Sequence, residues 1–326
     1  MPLIAAPVIT PPPTGEPPVG GGGGEIVLPD LGRATVTYYD PTGQAWPLTM
    51  QSLGWYTLAD GVSGLGAASY ELTTDPHPRG GARVRHAQAQ PRSIIWPLRV
   101  MGDSHMEFVV RWRQLATAFT RTLREGPGVL EIARPDGTRR RIDVIYQEGW
   151  EGLGQHGSGW IADTAVMTLF CEDPYWVDAQ AVTVHREQGA GSSFFTPYPT
   201  VSSSQVLGAT TVTNPGNVIV WPEWTITGPA SQVTFTRTDT GEAFTLNPNA
   251  EDVGHGNLLP GQKVTVRTDP PQVRYQDGSN WVGALSWPSA VLWGLSPGDN
   301  LVTFQLDGSG PGSAVDLTFN PRYETA

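Results

Sequence analysis

The chain has almost no cysteine and almost no lysine. Cys171 is the single cysteine in 326 residues, so no internal disulfide can brace the fold. Lys263 is the single lysine, and every other basic side chain is an arginine. That reads as the coding bias of a GC-rich genome rather than as chemistry. Charged residues make only 16% of the chain, which is low for a monomer that must cover its whole surface with solvated groups. Burial against further copies would account for it, and so would a plain Gly/Pro-rich β-protein. No run of about 18 apolar residues occurs, so no helical membrane span is expected. The start, Met1-Pro2-Leu3-Ile4-Ala5-Ala6-Pro7, lacks a basic region and a long apolar stretch, so it does not read as a signal peptide. The expected place of synthesis is a cytoplasm. Net charge is −11, which argues against a dedicated nucleic-acid binder, because such proteins neutralise phosphates with basic patches.

Catalytic signatures are equally scarce. There is no G-x-S-x-G elbow, no G-x-x-x-x-G-K-[ST] and no H-E-x-x-H. Gly152-Leu153-Gly154-Gln155-His156-Gly157 fits G-x-G-x-x-G, but the dinucleotide motif needs a helix after it, and here a strand is expected. The six histidines are scattered. Only His255 has carboxylates, Glu251 and Asp252, at a metal-like spacing, and these sit in a Gly-rich turn. Glu172-Asp173 flanks a proline turn. No catalytic residue, cofactor or metal is therefore expected, although two distant glycosidase-type carboxylates would escape this kind of reading.

What the chain has in plenty is glycine, proline and tryptophan: 39, 30 and 12 residues. Glycine and proline punctuate short strands. Residues 1–29, with Pro11-Pro12-Pro13, Pro17-Pro18 and Gly20 to Gly24, read as a Pro/Gly-rich flexible arm that cannot build a core. Leu3-Ile4 and Val8-Ile9 would anchor it if it were ordered along a neighbour. From residue 30 the pattern is β. Ala34 to Tyr39, Leu53 to Leu58 and Ser69 to Thr73 are short candidates, and Ile94, Trp96, Leu98 and Val100 alternate as one face of a half-buried strand. Pro97 places that strand near an edge or bulge.

One helix, about 104–124, interrupts this. Its expected stripe is Met106, Val109, Trp112, Ala116, Phe119 and Leu123, with Ser104 and Glu107 as a capping box and Gly126-Pro127 as the stop. A hairpin turning at Pro135-Asp136-Gly137 follows, then a strand to Cys171, a small buried hydrophobe. Beyond about 181 only short strands are expected, from Val182 to Phe319, with turn signals between them, as in a β-sandwich. The expected division is 1–29 arm, 30–180 first domain and 181–326 sandwich. Trp281, Trp287 and Trp293 leave two readings open: an aromatic platform for sugar rings, or filling of a core or protein interface.

The order of features resembles the distal tail protein family of long-tailed, non-contractile phages. The residues that carry this are Pro91 to Leu98, Arg111 to Leu115, the Pro-Asp-Gly hairpin and Phe170-Cys171-Glu172-Asp173-Pro174-Tyr175-Trp176. In the second half they are Asn214-Pro215-Gly216-Asn217, Trp221 to Gly228, Leu295 to Leu301 and Asn320-Pro321-Arg322-Tyr323. The Pro/Gly-rich leader and the Gly149–Gly159 loop depart from the pattern. The resemblance implies a mainly β protein, α+β in its first part. An N-terminal tail-tube-like β-sandwich or barrel with one amphipathic helix precedes a C-terminal galectin-like β-sandwich. It further implies a structural, non-catalytic virion protein, assembled in the bacterial host cytoplasm as a six-fold ring of identical copies. That ring would join the tail-tube protein to the tail-tip hub, the tape-measure protein and fibres, and DNA would pass through its lumen. The alternative is a carbohydrate-binding, adhesin-type module for host attachment.

Overall fold

A computed structural model describes residues 32–154, 157–188 and 205–326, with side chains from 208 onward in the last segment. The expected arm at 1–29 and the Gln155-His156 step of the Gly-rich loop lie outside the described residues.

The first part contains β1 (Thr35–Tyr39), β2 (Ala45–Pro47), β3 (Trp55–Thr57), β4 (Tyr70–Pro76), β5 (Ala82–Ala89) and β6 (Arg92–Met101). The helices α1 (His105–Thr120) and α2 (Thr122–Glu125) follow, then β7 (Gly128–Ala133), β8 (Arg139–Glu148), β9 (Ala162–Cys171) and β10 (Trp176–Asp178). The sandwich contains β11 (Val182–Glu187), β12 (Gln205–Asn214), β13 (Glu223–Thr227), β14 (Gln232–Arg237), β15 (Glu242–Leu246), β16 (Lys263–Arg267), β17 (Gln272–Tyr275), β18 (Gly298–Asp307) and β19 (Ala314–Phe319). β20 (Arg322–Tyr323) returns to the first part and pairs with β10.

The fold is mainly β with one substantial helix. A nine-stranded sheet runs β2-β1-β7-β8-β9-β6-β3, with β10 and β20 continuing from β8. Its strands alternate as the sequence does. Ile94, Trp96, Leu98 and Val100 of β6 and Ala165, Met167, Leu169 and Cys171 of β9 all point into one core. Burial pushes the Cys171 thiol up to about 12, so it packs as a hydrophobe and is no nucleophile at neutral pH. Pro97 lies inside β6, not at its end. β3 stops pairing at Leu98; beyond it the Leu58 amide donates to the Pro97 carbonyl at 3.1 Å, and the chain then leaves the ladder until the bridge between Ser63 and Ile95. The donor that proline lacks therefore falls just past the end of the regular β3 ladder, where only its carbonyl is bonded.

Helix α1 closes this core. The Ser104 hydroxyl accepts from the Glu107 amide at 3.2 Å, and the Glu107 carboxylate accepts from the Asp103 amide at 2.8 Å, so the cap forms as read. The buried stripe has a different phase from the expected one. Phe108, Trp112, Leu115, Ala118 and Phe119 face the sheet, whereas Met106 and Leu123 are exposed. Both stripes share Trp112 and Phe119. The face that also holds Phe108 and Leu115 buries more apolar area than the face with Met106 and Ala116, and it wins.

The second part is a sandwich of a five-stranded sheet, β11-β19-β13-β16-β17, and a four-stranded one, β12-β18-β14-β15. Its core gathers around Trp224, Phe235, Phe244, Trp293 and Phe304. Edge strand β11 is fastened by His185, whose Nδ1 lies 2.6 Å from Asp316 on β19, with Glu187 at 3.7 Å. The hydrogen bond to Asp316 raises the His185 pKa. A raised native pKa contributes stability that is full below the unfolded value of about 6.5 and is lost as pH rises through the native value. His185→Gln will therefore cost stability in mildly acid buffer and nothing at alkaline pH. Because the side chain is about half exposed, the effect will stay under about 1 kcal/mol in urea unfolding followed across that pH range.

The two parts are joined twice, at 178–182 and 319–322. The joins are bonded to each other: the Asp178 amide donates to the Pro321 carbonyl at 2.8 Å and the Asn320 side chain to the Asp178 carbonyl at 3.0 Å. The following residues lie along the first sheet. Arg92 donates to the Glu324 carbonyl at 2.8 Å, Arg140 to the Thr325 carbonyl at 2.7 Å and Arg134 to the Ala326 carbonyl at 2.8 Å.

Candidate functional site

β4 and β5 form a sheet of their own, a two-stranded hairpin whose side chains are nearly all exposed. Its turn, His77-Pro78-Arg79-Gly80-Gly81, needs positive φ at two successive positions, and glycine fills both, at 93° and 82°. The register sets its chemistry. Tyr70 faces Ala89, Leu72 faces Ala87, Thr74 faces Val84 and Pro76 faces Ala82, so one side is apolar. Glu71 faces Gln88, Thr73 faces His86 and Asp75 faces Arg83 on the other. Leu72 and Val84 are each more than half exposed. An isolated two-stranded hairpin is marginal in water, and one with a bare apolar side is better served by a partner surface.

The base of the hairpin is held firmly. The Tyr70 hydroxyl donates to Glu324 at 2.6 Å and lies 3.0 Å from the Tyr175 hydroxyl, and the Ala68 amide donates to Glu324 at 3.1 Å. Arg92, nearly buried, donates to the carbonyls of Gly64 and Gly66 as well as to that of Glu324. Between His77 and His86 the hairpin carries Arg79, Arg83 and Arg85 and no carboxylate. Arg85 pairs with Asp75 at 2.8 Å, whereas Arg79 and Arg83 have no ion pair among the described residues.

A cleft of about 570 Å³ opens on the outer side of the nine-stranded sheet. Strand register builds it. Tyr39, Val129 and Asp143 stand in one cross-strand row, and Glu131, Arg141 and Val177 in the next. β8 pairs with β10 at Arg140 and Arg141 and with β9 only from Ile145 onward, so Asp143 sits at the gap. Tyr175, Asp173, Asp178 and Asn320 close the other side. Arg141 is committed to Glu131 at 2.5 Å, and Arg322 to Asp173. Among the described residues Asp143 has neither ion pair nor hydrogen bond. Partial desolvation, then the like charges of Asp173 and Glu172, push its carboxyl above the ordinary range.

The three tryptophans singled out in sequence do not form one platform. Trp293 is buried in the sandwich core, 5.0 Å from Trp224. Trp281 is buried too, stacked at 4.6 Å on Tyr275 with His255 over both rings. Only Trp287 is exposed, and its indole N–H donates to the Val282 carbonyl at 3.2 Å. Large rings fill the sandwich because no other side chain buries as much apolar area. Sequence reading missed the hairpin beyond Thr73 and the cleft. The alternation from Tyr70 to Asp75 before Gly80-Gly81 could have signalled the hairpin, whereas the cleft depends on strand pairing that no local pattern shows. Among the described residues, no three His, Cys, Asp or Glu side chains come together as a metal site, and no helix is long and apolar enough to cross a membrane.

No protein-family model matches the chain, and no curated protein matches it by sequence. Solved structures do match in fold. A chain of the phage P2 baseplate in its activated conformation with Ca superposes with a TM-score of 0.53 at 10% identity, covering 90% of this chain and 100% of that one. The same baseplate with Sr gives 0.53 at 11% identity, with the same coverage. The Dit protein of phage SPP1, a paradigm of the hub adsorption apparatus in phages that infect Gram-positive bacteria, superposes with a TM-score of 0.60 at 15% identity over 89% of this chain and 99% of that one. The chain thus has the fold of the SPP1 Dit protein, through both its helix-backed sheet and its sandwich.

Proposed function

We propose that this protein is a structural subunit of a phage tail tip. Copies close into a six-fold ring that joins the tail tube to the hub, tape-measure protein and fibres and leaves a channel for DNA. The observation that carries this reading is the match in fold over nearly the whole of both chains, with sheet and sandwich in the same order. Residues 30–180, together with the returning 320–326, form the ring-forming domain, and the rest of 181–326 the outward sandwich. The protein catalyses nothing and resides in the virion after assembly in the host cytoplasm.

Three features support the ring. The hairpin presents an apolar side that no described residue covers. The charged fraction is low for a lone monomer. A subunit with one projecting element and one receiving surface makes heterologous contacts, which close by rotation. Acidic overall charge suits a lumen that must not retain DNA. Light scattering on the purified protein should give about six times the 35.0 kDa chain mass, with annular particles in negative stain. A monomer that persists at high concentration would count against the ring.

A further inference from the structure

We propose that the arginine-bearing tip of the β4–β5 hairpin of one copy seats in the Asp143 cleft of the next copy, with Arg79 and Arg83 supplying the cations that the cleft lacks. This rests on the ring reading and names the two surfaces that meet.

The first argument is charge. In a chain of net charge −11, the segment from His77 to His86 holds three arginines and no acid. The cleft is lined by Asp143, Asp173 and Asp178; Asp173 is paired with Arg322 and the lining arginine, Arg141, with Glu131, which leaves Asp143 and Asp178 as the carboxylates without an ion pair among the described residues. Unpaired cations on an exposed tip and an unpaired carboxylate crowded by like charges are complementary. The second argument is shape and chemistry. The cleft has an apolar floor with Tyr39 and Tyr175 as walls. Both rings already accept guanidinium groups: Arg141 lies 6.0 Å from the Tyr39 ring and Arg322 4.8 Å from that of Tyr175. A further guanidinium would meet the aromatic and carboxylate surroundings that arginine suits better than lysine.

The third argument excludes self-contact. The hairpin begins beside its own cleft, where Tyr70 meets Tyr175. Six strand steps carry the tip about 20 Å away from that base. An extended hairpin cannot fold back on itself, so its tip reaches a cleft only in another copy. Each copy then offers one tip and receives one, which is the heterologous arrangement a closed ring requires.

The test uses cysteine pairs in the full chain. Cys171 is buried and does not compete. Arg83→Cys combined with Asp143→Cys, mildly oxidised, should give covalent dimers and a ladder up to the closed ring, while either single substitution stays unlinked. In parallel, Arg79→Glu with Arg83→Glu should weaken self-association on the order of 10–100-fold, and adding Asp143→Arg with Asp178→Arg should recover most of it. Four results would overturn the proposal. Wild-type rings with an unlinked cysteine pair and no effect of the glutamates would remove this contact and leave the ring standing. Loss of assembly in the hairpin variant without recovery by the reversed cleft would place the tip elsewhere. Linking of the single Arg83→Cys variant to itself would mean that tips pair with tips. A wild type that stays monomeric, with no linked species, would remove ring and contact together.

Discussion

Replacing Trp224 by alanine should destabilise the sandwich by about 3–5 kcal/mol, the range for a fully buried large aromatic. The ring is completely buried at the centre of an aromatic cluster: it stacks on Phe235 at 4.3 Å and meets Trp293, Phe304 and Phe244 at 5.0, 5.6 and 5.8 Å. Phe235, Phe244 and Phe304 stand side by side on the facing four-stranded sheet, paired in register with one another, so they cannot collapse into the hole. Small domains have only about 5–15 kcal/mol to lose, so the variant should unfold at much lower urea. Trp224→Phe should cost far less. The indole N–H has no partner in the core, so phenylalanine gives up area but leaves no hydrogen bond broken. Trp287→Ala is the control. That ring is half exposed, and its loss should stay within about 0.5 kcal/mol, apart from one hydrogen bond. Urea unfolding followed by near-UV dichroism separates the three. Equal losses at Trp224 and Trp287 would mean that the cluster is not the keystone of the sandwich.

Arg92→Ala should loosen the hairpin as well as the first core. One nearly buried guanidinium donates to three carbonyls, of Gly64, Gly66 and Glu324, and so joins the loop before β4, strand β6 and the returning tail. Without it the carbonyls of half-buried Gly64 and Glu324 lose their charged donor, while that of exposed Gly66 turns to water, at a cost of about 1–3 kcal/mol. Lysine will not substitute, because one ammonium on a flexible stem cannot reproduce the planar fork that reaches three acceptors. The readout is local. The Gln90 amide, which donates to the Ser69 carbonyl at the hairpin base, should exchange its hydrogen much faster in the variant, and trypsin should cut sooner at Arg79 and Arg83. A variant with lower global stability but unchanged exchange at Gln90 would show that Arg92 braces the core alone.

The sequence spoke clearly wherever the signal is local. The capping box, the Pro-Asp-Gly turn and the alternation of Ile94 to Val100 each depend on residues a few places apart, and each stands where it was read. The helix stripe was harder, since Met106 and Phe108 start two apolar tracks that converge at Trp112. Choosing between them requires knowing how much area the facing sheet can take. Edge or interior placement of Pro97 depended on where another strand stops. The hairpin was half legible: Ser69 to Thr73 looked like a strand, but its partner Arg83 to Gln88 is too polar to resemble one without the pairing. The tryptophans left two readings open that only the pairing separates. Their closeness along the chain fitted a sugar platform as well as a filled core; β-bridges such as Leu246 with Leu285 turn that segment inward, bury Trp281 and Trp293 and leave Trp287 outside. The cleft could not be read at all, since Tyr39, Asp143, Asp173 and Asn320 come from four separate stretches.

The double join between sheet and sandwich has a mechanical consequence. A single covalent linker lets one lobe swivel freely about it. Two chain crossings that run side by side, bonded through Asp178, Asn320 and Pro321, resist twisting as a pair of rails does. A pull on the sandwich would be split between both rails; because β10 leaves and β20 enters the first sheet at the same end, the two strands would be drawn together, and the load would pass on through the pairing of β10 with β8. The tail's anchorage to Arg92, Arg134 and Arg140 extends that grip, so force delivered to the outer lobe arrives at the base of the hairpin.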